Sequence, residues 1–254
     1  MPLDFNPTYL AQFHRDGFVH VPQFLGTDEV EEFNRRMDRI IFEVAPCLAP
    51  EEVFYEDLGK AGTLKQIQQV WKHDDWIARH FLEGAFRIWA ESLLQGPTIP
   101  KNLQYFNKPG GVGKATPAHQ DGYYFMLKPC EAVTLWVALE DVDEENGCVR
   151  YVPGSHHFAL REHRRTEVLG FSQGIVSYPT PEDLKLERPV PAKAGDLLIH
   201  HALTIHRADA NQNPNRSRRA LGGVYYSAEA LEDEEARAAY QQRLASEMRR
   251  EGMI

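Results

Sequence analysis

Over the first hundred residues, hydrophobic and polar positions recur mostly at the spacing of helices. The pattern predicts a short helix over residues 9–15, a short strand over residues 18–21 and a longer helix with Thr27 as its N-cap. Two more helices are predicted over residues 64–71 and 76–94. The apolar stripe of the helix after Thr27 consists of Val30, Phe33, Met37 and Ile40 or Ile41.

Beyond residue 100 the pattern changes to the alternation that is typical of strands. In residues 131–139, Val133, Leu135 and Val137 lie on one face, and Thr134, Trp136 and Ala138 lie on the other. Asn146 and Gly147 form a turn signal, so residues 149–152 are predicted to return as the second strand of a hairpin. Further short strands are predicted at residues 103–106, 189–192, 196–201 and 219–226.

This order of elements predicts the fold class. A helical N-terminal third followed by many short strands indicates a mainly β protein with flanking helices (α+β), built as a sandwich or barrel. We expect one domain over residues 1–254, with a β core at about 100–227 and a charged C-terminal helix over residues 228–248. The irregular stretch 158–180 has the length of a lid or binding loop.

Composition and charge narrow the function classes. The formal net charge of −9 argues against nucleic acid or an anionic membrane as a partner, and favours a small-molecule substrate. No apolar run is long enough to span a bilayer, and the N-terminus carries no secretory signal. Cys47, Cys130 and Cys148 show no CxxC spacing and indicate reduced thiols, so we expect a cytoplasmic protein.

The candidate chemistry centres on the stretch TPAHQDGYYF, in which His119 and Asp121 are two residues apart. In an extended segment these side chains share a face, so an imidazole nitrogen and a carboxylate oxygen would converge on a metal such as Fe(II). About 80 residues later, the stretch from Ala194 to Leu221 offers three histidines as a third ligand and three arginines. These are His200, His201 and His206, followed by Arg216, Arg218 and Arg219.

A facial triad of this kind leaves three positions of an octahedral metal open. Two could be taken by a chelating co-substrate and one by O2, while an arginine supplies a planar fork for a carboxylate. These are the requirements of a 2-oxoglutarate-dependent oxygenase. The residues alone leave open which histidine completes the triad.

Five segments in order carry a resemblance to a known family: FHRDGFVHVPQFL, PAHQD, TLWVALEDVDEENGCVRYVPGSH, GDLLIHHALTIHRADANQN and RSRRAL. Together they span residues 13–221. The chain resembles the phytanoyl-CoA dioxygenase family of Fe(II)/2-oxoglutarate oxygenases. The resemblance implies a double-stranded β-helix (a jelly-roll, cupin-like core) and Fe(II) and 2-oxoglutarate as cofactors.

The resemblance also assigns roles to residues. It implies that His119, Asp121 and His206 are the metal ligands, with His200 and His201 as competitors for the third place. It implies that Arg218 clamps the distal carboxylate of 2-oxoglutarate, with Arg216 in reserve and Arg219 turned away by strand parity. The other cofactor-binding residues that it implies are Trp136, Gln104 and Lys65, the last on a helix. Many members have Ser or Thr where this chain has Ala208.

The implied reaction is hydroxylation of a small-molecule or acyl metabolite, with decarboxylation of 2-oxoglutarate to succinate and CO2. Because Asp121 supplies a carboxylate where related halogenases have a small residue, halogenation is not expected. The alternatives are a non-catalytic jelly-roll metabolite-binding protein and a cupin-like metal-dependent isomerase or hydrolase. Candidate substrate contacts are Tyr123, Phe125, Lys108 and Arg150.

Overall fold

The computed structural model describes residues 5–166 and 173–250. The helices are α1 (Pro7–Asp16), α2 (Thr27–Arg39), α3 (Asp75–Leu82), α4 (Ala85–Leu94), α5 (Gly122–Phe125), α6 (Pro181–Leu186) and α7 (Glu234–Arg250). The strands are β1 (Phe18–Val21), β2 (Val53–Tyr55), β3 (Leu64–Ile67), β4 (Thr98–Asn107), β5 (Thr116–His119), β6 (Leu127–Lys128), β7 (Ala132–Ala138), β8 (Val149–Tyr151), β9 (His163–Arg165), β10 (Gln173–Ile175), β11 (Arg188–Val190), β12 (Leu197–His201), β13 (His206–Ala208), β14 (Arg219–Ser227) and β15 (Leu231–Glu232). Among the helices of this part of the chain, none is long and apolar enough to span a membrane.

Two antiparallel sheets form the core. The large sheet has the strand order β1-β12-β7-β14-β4-β3-β2, and the small sheet has the order β11-β8-β13-β5. Trp136 and Leu198 of the large sheet pack with Val149 and Tyr151 of the small sheet in one buried cluster. This arrangement is the jelly-roll that the resemblance implies, and the prediction of a mainly β fold is confirmed.

The helices cover the outer face of the large sheet. Val133, Leu135 and Val137 of β7 pack against the helical cluster, as their alternation predicts, while Trp136 and Thr134 face the small sheet and its cavity. Val30, Phe33 and Met37 supply the buried stripe of α2. The N-cap of that helix is Gly26 and not Thr27, which is the first helical residue.

Two helix predictions in the N-terminal third are wrong in part. Residues 64–71 contain strand β3 followed by a 3-10 turn (Val70–His73), because β3 pairs with β2 and β4 and all four of its residues are buried. Residues 76–94 form two helices, α3 and α4, and not one. The break lies at Gly84, where a Cβ atom would stand 2.6 Å from the carbonyl oxygen of His80.

The predicted hairpin between residues 139 and 149 is also wrong. Strand β7 pairs with β12 and β14 in the large sheet, whereas β8 pairs with β11 and β13 in the small sheet. The connection therefore crosses from one sheet to the other. Its turn signal is real, since Gly147 has a φ of +87° and the buried Asn146 side chain donates to the carbonyl oxygens of Asp141 and Ser217.

The predicted excursion over residues 158–180 lies partly outside the described residues. Its described parts include β9 and β10, which pair with each other, so the stretch is not wholly irregular. The C-terminal helix begins at Glu234, later than predicted. Cys47, Cys130 and Cys148 are free thiols.

Candidate active site

The small sheet brings the two candidate histidine ligands together. His119 is the last residue of β5 and lies directly opposite His206, the first residue of β13. Asp121 follows at the start of α5 with helical torsion angles, φ −57° and ψ −32°. The predicted convergence of His119 and Asp121 is therefore present, although the chain turns between them and does not continue as an extended strand.

The three side chains have the geometry of a metal site. One ligand atom from each of His119, Asp121 and His206 lies within 4.8 Å of the others. Asp121 Oδ1 is 3.4 Å from His119 Nε2 and 3.7 Å from His206 Nε2. His119 Nδ1 lies 2.8 Å from the Pro117 carbonyl oxygen, and His206 Nδ1 lies 3.0 Å from the Thr204 carbonyl oxygen. Donation by Nδ1–H to these carbonyls leaves both Nε2 lone pairs directed at the centre.

The second carboxylate oxygen of Asp121 is fixed by hydrogen bonds from the protein. Asp121 Oδ2 accepts hydrogen bonds from Thr134 Oγ1 at 2.6 Å and from His200 Nε2 at 3.1 Å. His200 and Thr134 are direct cross-strand partners on β12 and β7, so they present their side chains to the same face. His200 Nδ1 in turn lies 3.0 Å from the Tyr151 hydroxyl. Oδ1 is therefore the oxygen that faces the two imidazoles.

The protonation states suit a cation. Burial opposes ionisation of Asp121, but His206, His119 and His200 outweigh it and hold the pKa of the carboxyl well below its usual range. Burial, together with His119 and His200, lowers the pKa of His206 well below its usual value. A carboxylate beside a neutral imidazole is a pair of donors that divalent iron accepts.

These residues open onto a cavity of about 230 Å³ between the two sheets. Arg218 lies on its wall, 5 % exposed, with its guanidinium 5.2 Å from the centre of the Trp136 ring. Within the described residues the Arg218 side chain has no hydrogen-bond or ion-pair partner, and Nε is buried. Burial lowers the pKa of Arg218 to about 10. An isolated buried guanidinium is costly, so this wall is suited to an anionic ligand.

The family model described as phytanoyl-CoA dioxygenase (PhyH) matches residues 13–220. The chain belongs to the phytanoyl-CoA dioxygenase family. The family prediction is confirmed, and the general reaction is that of a 2-oxoglutarate-dependent oxygenase.

Several known proteins are similar to this chain. Phytanoyl-CoA dioxygenase 1 of Oryza sativa subsp. japonica is 31% identical over 182 residues, which cover 66% of this chain and 63% of that protein. The epimerase SnoN was solved in complex with Fe3+, alpha ketoglutarate and nogalamycin RO. It is 27% identical to this chain, with a TM-score of 0.70, and the match covers 89% of this chain and 84% of SnoN. The carbocyclase SnoK from nogalamycin biosynthesis is 26% identical, with a TM-score of 0.73. The match covers 90% of this chain and 87% of SnoK.

The structure separates the histidines that compete for the third ligand position of this phytanoyl-CoA dioxygenase homologue. His206 lies in the triad, whereas His200 lies beside Asp121 Oδ2. His201 is turned away, and its Nε2 is 3.3 Å from Glu131. The inward and outward alternation expected of His200 and His201 on one strand is present.

The arginines are separated in the same way. Arg219 points to the opposite face of the sheet, where it donates to Asp38 at 2.7 Å and to the Tyr105 hydroxyl. Arg216 donates to Asp143 at 2.7 Å and is not among the cavity-lining residues. Of the three, Arg218 is the one on the cavity wall.

The remaining residues that the family resemblance implied for the cofactor also line the cavity. These are Trp136, Gln104 and Lys65. Lys65 lies on strand β3 and not on a helix, and its Nζ is 3.5 Å from Glu56. The Gln104 side-chain oxygen accepts a hydrogen bond from Gln66.

The four candidate substrate contacts divide into two pairs. Phe125 and Lys108 line the cavity. Tyr123 does not, because its ring stacks on His163 at 4.5 Å. Arg150 is not among the cavity-lining residues either. It alternates with the buried Val149 and Tyr151 on β8 and pairs with Asp209, Glu144 and Glu187, and its role as a substrate contact stays a prediction.

Sequence reasoning did not identify several cavity residues. Thr134 and His200 as partners of Asp121 follow only from the register between β7 and β12, which no local pattern gives. Tyr124 and Thr116 also line the cavity. Their proximity to the His-x-Asp motif was the available signal.

Proposed function

We propose that this protein is an Fe(II)- and 2-oxoglutarate-dependent dioxygenase that hydroxylates a small-molecule or acyl metabolite. The observation that carries the proposal is the buried guanidinium of Arg218, which has no hydrogen-bond or ion-pair partner among the described residues. It lies on the wall of the cavity that holds the His119, Asp121 and His206 cluster. A metal-binding cluster beside an unsatisfied carboxylate fork fits a chelating dicarboxylic co-substrate.

The residues present fit both cofactors. His119 Nε2, His206 Nε2 and Asp121 Oδ1 would hold Fe(II), and Arg218 would hold the distal carboxylate of 2-oxoglutarate. SnoN, which shares the fold and 27% of its aligned residues, was solved with Fe3+ and alpha ketoglutarate. When bound, iron would activate O2 as the oxidant, and 2-oxoglutarate would supply two electrons as it is converted to succinate and CO2.

The protein's own contribution is orientation and shielding. Thr134 and His200 fix the Asp121 carboxylate, and the Pro117 and Thr204 carbonyls fix the two ligand imidazoles. Trp136 covers one side of Arg218. Tyr124 and Phe125 on α5, next to Asp121, line the space that remains for substrate.

Hydroxylation is the finer part of the proposal. The carboxylate of Asp121 argues against halogenation, since halide would need its place on the metal. SnoN is an epimerase and SnoK a carbocyclase, so this fold also supports oxidations that add no oxygen to the product. Under 18O2, hydroxylation would place one labelled atom in the product, whereas epimerisation or ring closure would leave the product unlabelled.

The first experiment is an anaerobic titration of metal-free protein with Fe(II) and then 2-oxoglutarate. We expect a weak visible metal-to-ligand charge-transfer absorption that requires both additions, because the 2-oxo acid would chelate the bound metal. Iron binding without that absorption would contradict the proposal and favour the binding protein or the isomerase. Candidate substrates are then compared by the succinate formation that they stimulate.

A further inference from the structure

A second buried cation lies directly opposite Arg218. Lys108 follows the last residue of β4, and Arg218 precedes the first residue of β14. Lys108 N donates to the Arg218 carbonyl oxygen at 3.2 Å, and Arg218 N donates to that of Lys108 at 3.1 Å. The two residues therefore form a hydrogen-bonded antiparallel pair, whose side chains leave the sheet on the same face.

That face is the wall of the cavity. Gln104 and Phe106 share the parity of Lys108 on β4, Gly222 shares that of Arg218 on β14, and all of these residues line the cavity. Lys108 is 4 % exposed and Arg218 is 5 % exposed. Two positive side chains are thus placed side by side and away from solvent, an arrangement that is unfavourable without an anion.

The described part of the chain supplies no such anion. Lys108 Nζ donates to neutral oxygens, the Lys114 carbonyl and Thr116 Oγ1. The charges of Glu56 and Asp209 act on Lys108, but both carboxylates are engaged by other cations. Glu56 lies 3.5 Å from Lys65 and 4.0 Å from Lys114, and Asp209 pairs with Arg150 and Arg207.

The lowered pKa of Lys108 agrees with a cation that has no anionic partner. Burial, followed by the charges of Arg218 and Lys65, lowers the pKa of Lys108 well below its usual value, and Glu56 and Asp209 only partly oppose the effect. A carboxylate placed between the two side chains would offer one oxygen to the guanidinium and the other to the ammonium. Both desolvated cations would then be compensated.

We propose that Lys108 and Arg218 together clamp the distal carboxylate of 2-oxoglutarate, which adds Lys108 to the co-substrate-binding residues. This inference rests on the proposed function and adds to it. Lys108 is also a candidate substrate contact, and an acidic substrate would present it with the same chemical group. The shared chemistry is a carboxylate, and the experiment distinguishes the two sources.

The test compares two ligands that differ at one group. 2-Oxoglutarate and 2-oxopentanoate carry the same chelating 2-oxo acid, but 2-oxopentanoate has a methyl group in place of the distal carboxylate. Each is titrated anaerobically into the Fe(II)-loaded protein, and the charge-transfer absorption gives its Kd. We expect Lys108→Met to weaken 2-oxoglutarate binding about 10- to 100-fold, the range for loss of a hydrogen bond to a charged group, and to leave 2-oxopentanoate binding unchanged.

Two further variants serve as matched controls. Lys114→Met removes a lysine at the same cavity whose side chain is largely exposed, and should leave both Kd values nearly unchanged because solvent screens its charge. Lys108→Arg keeps the charge and should restore part of the preference for 2-oxoglutarate. Unchanged Fe(II) affinity in all three variants would show that the metal site is intact.

Three outcomes would overturn the proposal. Equal weakening of both ligands by Lys108→Met would mean that Lys108 supports the cavity and does not contact the carboxylate. Unchanged 2-oxoglutarate binding would assign Lys108 to the substrate. Absence of the charge-transfer absorption in the unmodified, iron-loaded protein would refute the oxygenase proposal itself, and the clamp with it, which is a result distinct from the other two.

Discussion

The two ends of the cavity are stabilised in opposite ways. At the metal end, Asp121 Oδ2 has two donors from the chain and the ligand imidazoles are anchored to backbone carbonyls. At the cationic end, Arg218 and Lys108 are buried without a carboxylate partner among the described residues. The first end is held in shape before its ligand arrives, whereas the second depends on its ligand for charge balance. Four changes to the protein or its conditions test this difference between the two ends, in order of decreasing effect.

Removing a metal ligand should have the largest effect. His206→Ala should abolish Fe(II)-dependent succinate formation and weaken Fe(II) binding, because one of three ligand atoms is lost. His201→Gln is the control, since His201 faces Glu131 on the other side of β12. Both variants are measured for iron content and 2-oxoglutarate turnover. An inactive His201→Gln beside an active His206→Ala would reverse the assignment.

Removing Arg218 should have two effects of opposite sign. Arg218→Met should weaken 2-oxoglutarate binding about 30-fold or more, because truncating one partner of a buried charge pair costs about 2–5 kcal/mol. The ligand-free protein should at the same time become more stable, because an unpaired buried charge is replaced by an apolar side chain.

The matched control for that change is Arg216→Met, which removes a half-exposed arginine paired with Asp143. Arg216→Met should change neither 2-oxoglutarate binding nor the stability of the ligand-free protein appreciably, since exposed ion pairs contribute about 0–1 kcal/mol. Equilibrium titration and urea unfolding measure the two effects. A loss of ligand-free stability in Arg218→Met would show that the guanidinium has a partner within the protein.

Weakening the support behind the metal end should have a smaller effect. His200→Phe removes one of the two donors to Asp121 Oδ2, and should lower Fe(II) affinity by about 10-fold, as partners of metal ligands typically do. Tyr151→Phe removes only the hydroxyl that contacts His200, and should have a lesser effect. Calorimetric titration with Fe(II) under anaerobic conditions gives both affinities. A larger loss from Tyr151→Phe than from His200→Phe would contradict this order.

The smallest effect concerns pH. Burial and the neighbouring cations lower the pKa of Lys108 in the folded protein, so the unfolded chain binds the extra proton. The free energy of unfolding should therefore rise with pH up to the unfolded lysine value of about 10.4, by at most about 1.4 kcal/mol per pH unit from this group. Urea unfolding of the ligand-free protein and of Lys108→Met at pH 7, 8 and 9 isolates the contribution. If the difference in unfolding free energy between the unmodified protein and Lys108→Met does not change with pH, Lys108 does not make this contribution.

Much of the site followed from short-range pattern. His119 and Asp121 are close in sequence. The family resemblance selected Arg218, and strand parity predicted that Arg219 points away from the cavity. Parity also predicted which face of β7 carries Trp136. These inferences need only the local period of a strand, which the sequence displays directly.

The incorrect and missed predictions share one cause, which is strand pairing between segments that are distant in the sequence. Strand β3 has helix-like spacing, but it forms a strand because β2 and β4 pair with it. The predicted hairpin failed because β7 and β8 find their partners in different sheets. His200 supports Asp121 through a register set by Thr134 on another strand. Pairing between distant segments decides each case, and local propensity does not encode it.

The position of Lys108 and Arg218 has a consequence for motion. They form the last hydrogen-bonded pair at one end of the long β4–β14 ladder, where strands separate most easily. Repulsion between the two side chains favours that separation, and a dicarboxylate bound across them would close the end of the ladder. Slower amide hydrogen exchange at Lys108 and Arg218 would then report that the co-substrate has arrived, before any chemistry begins.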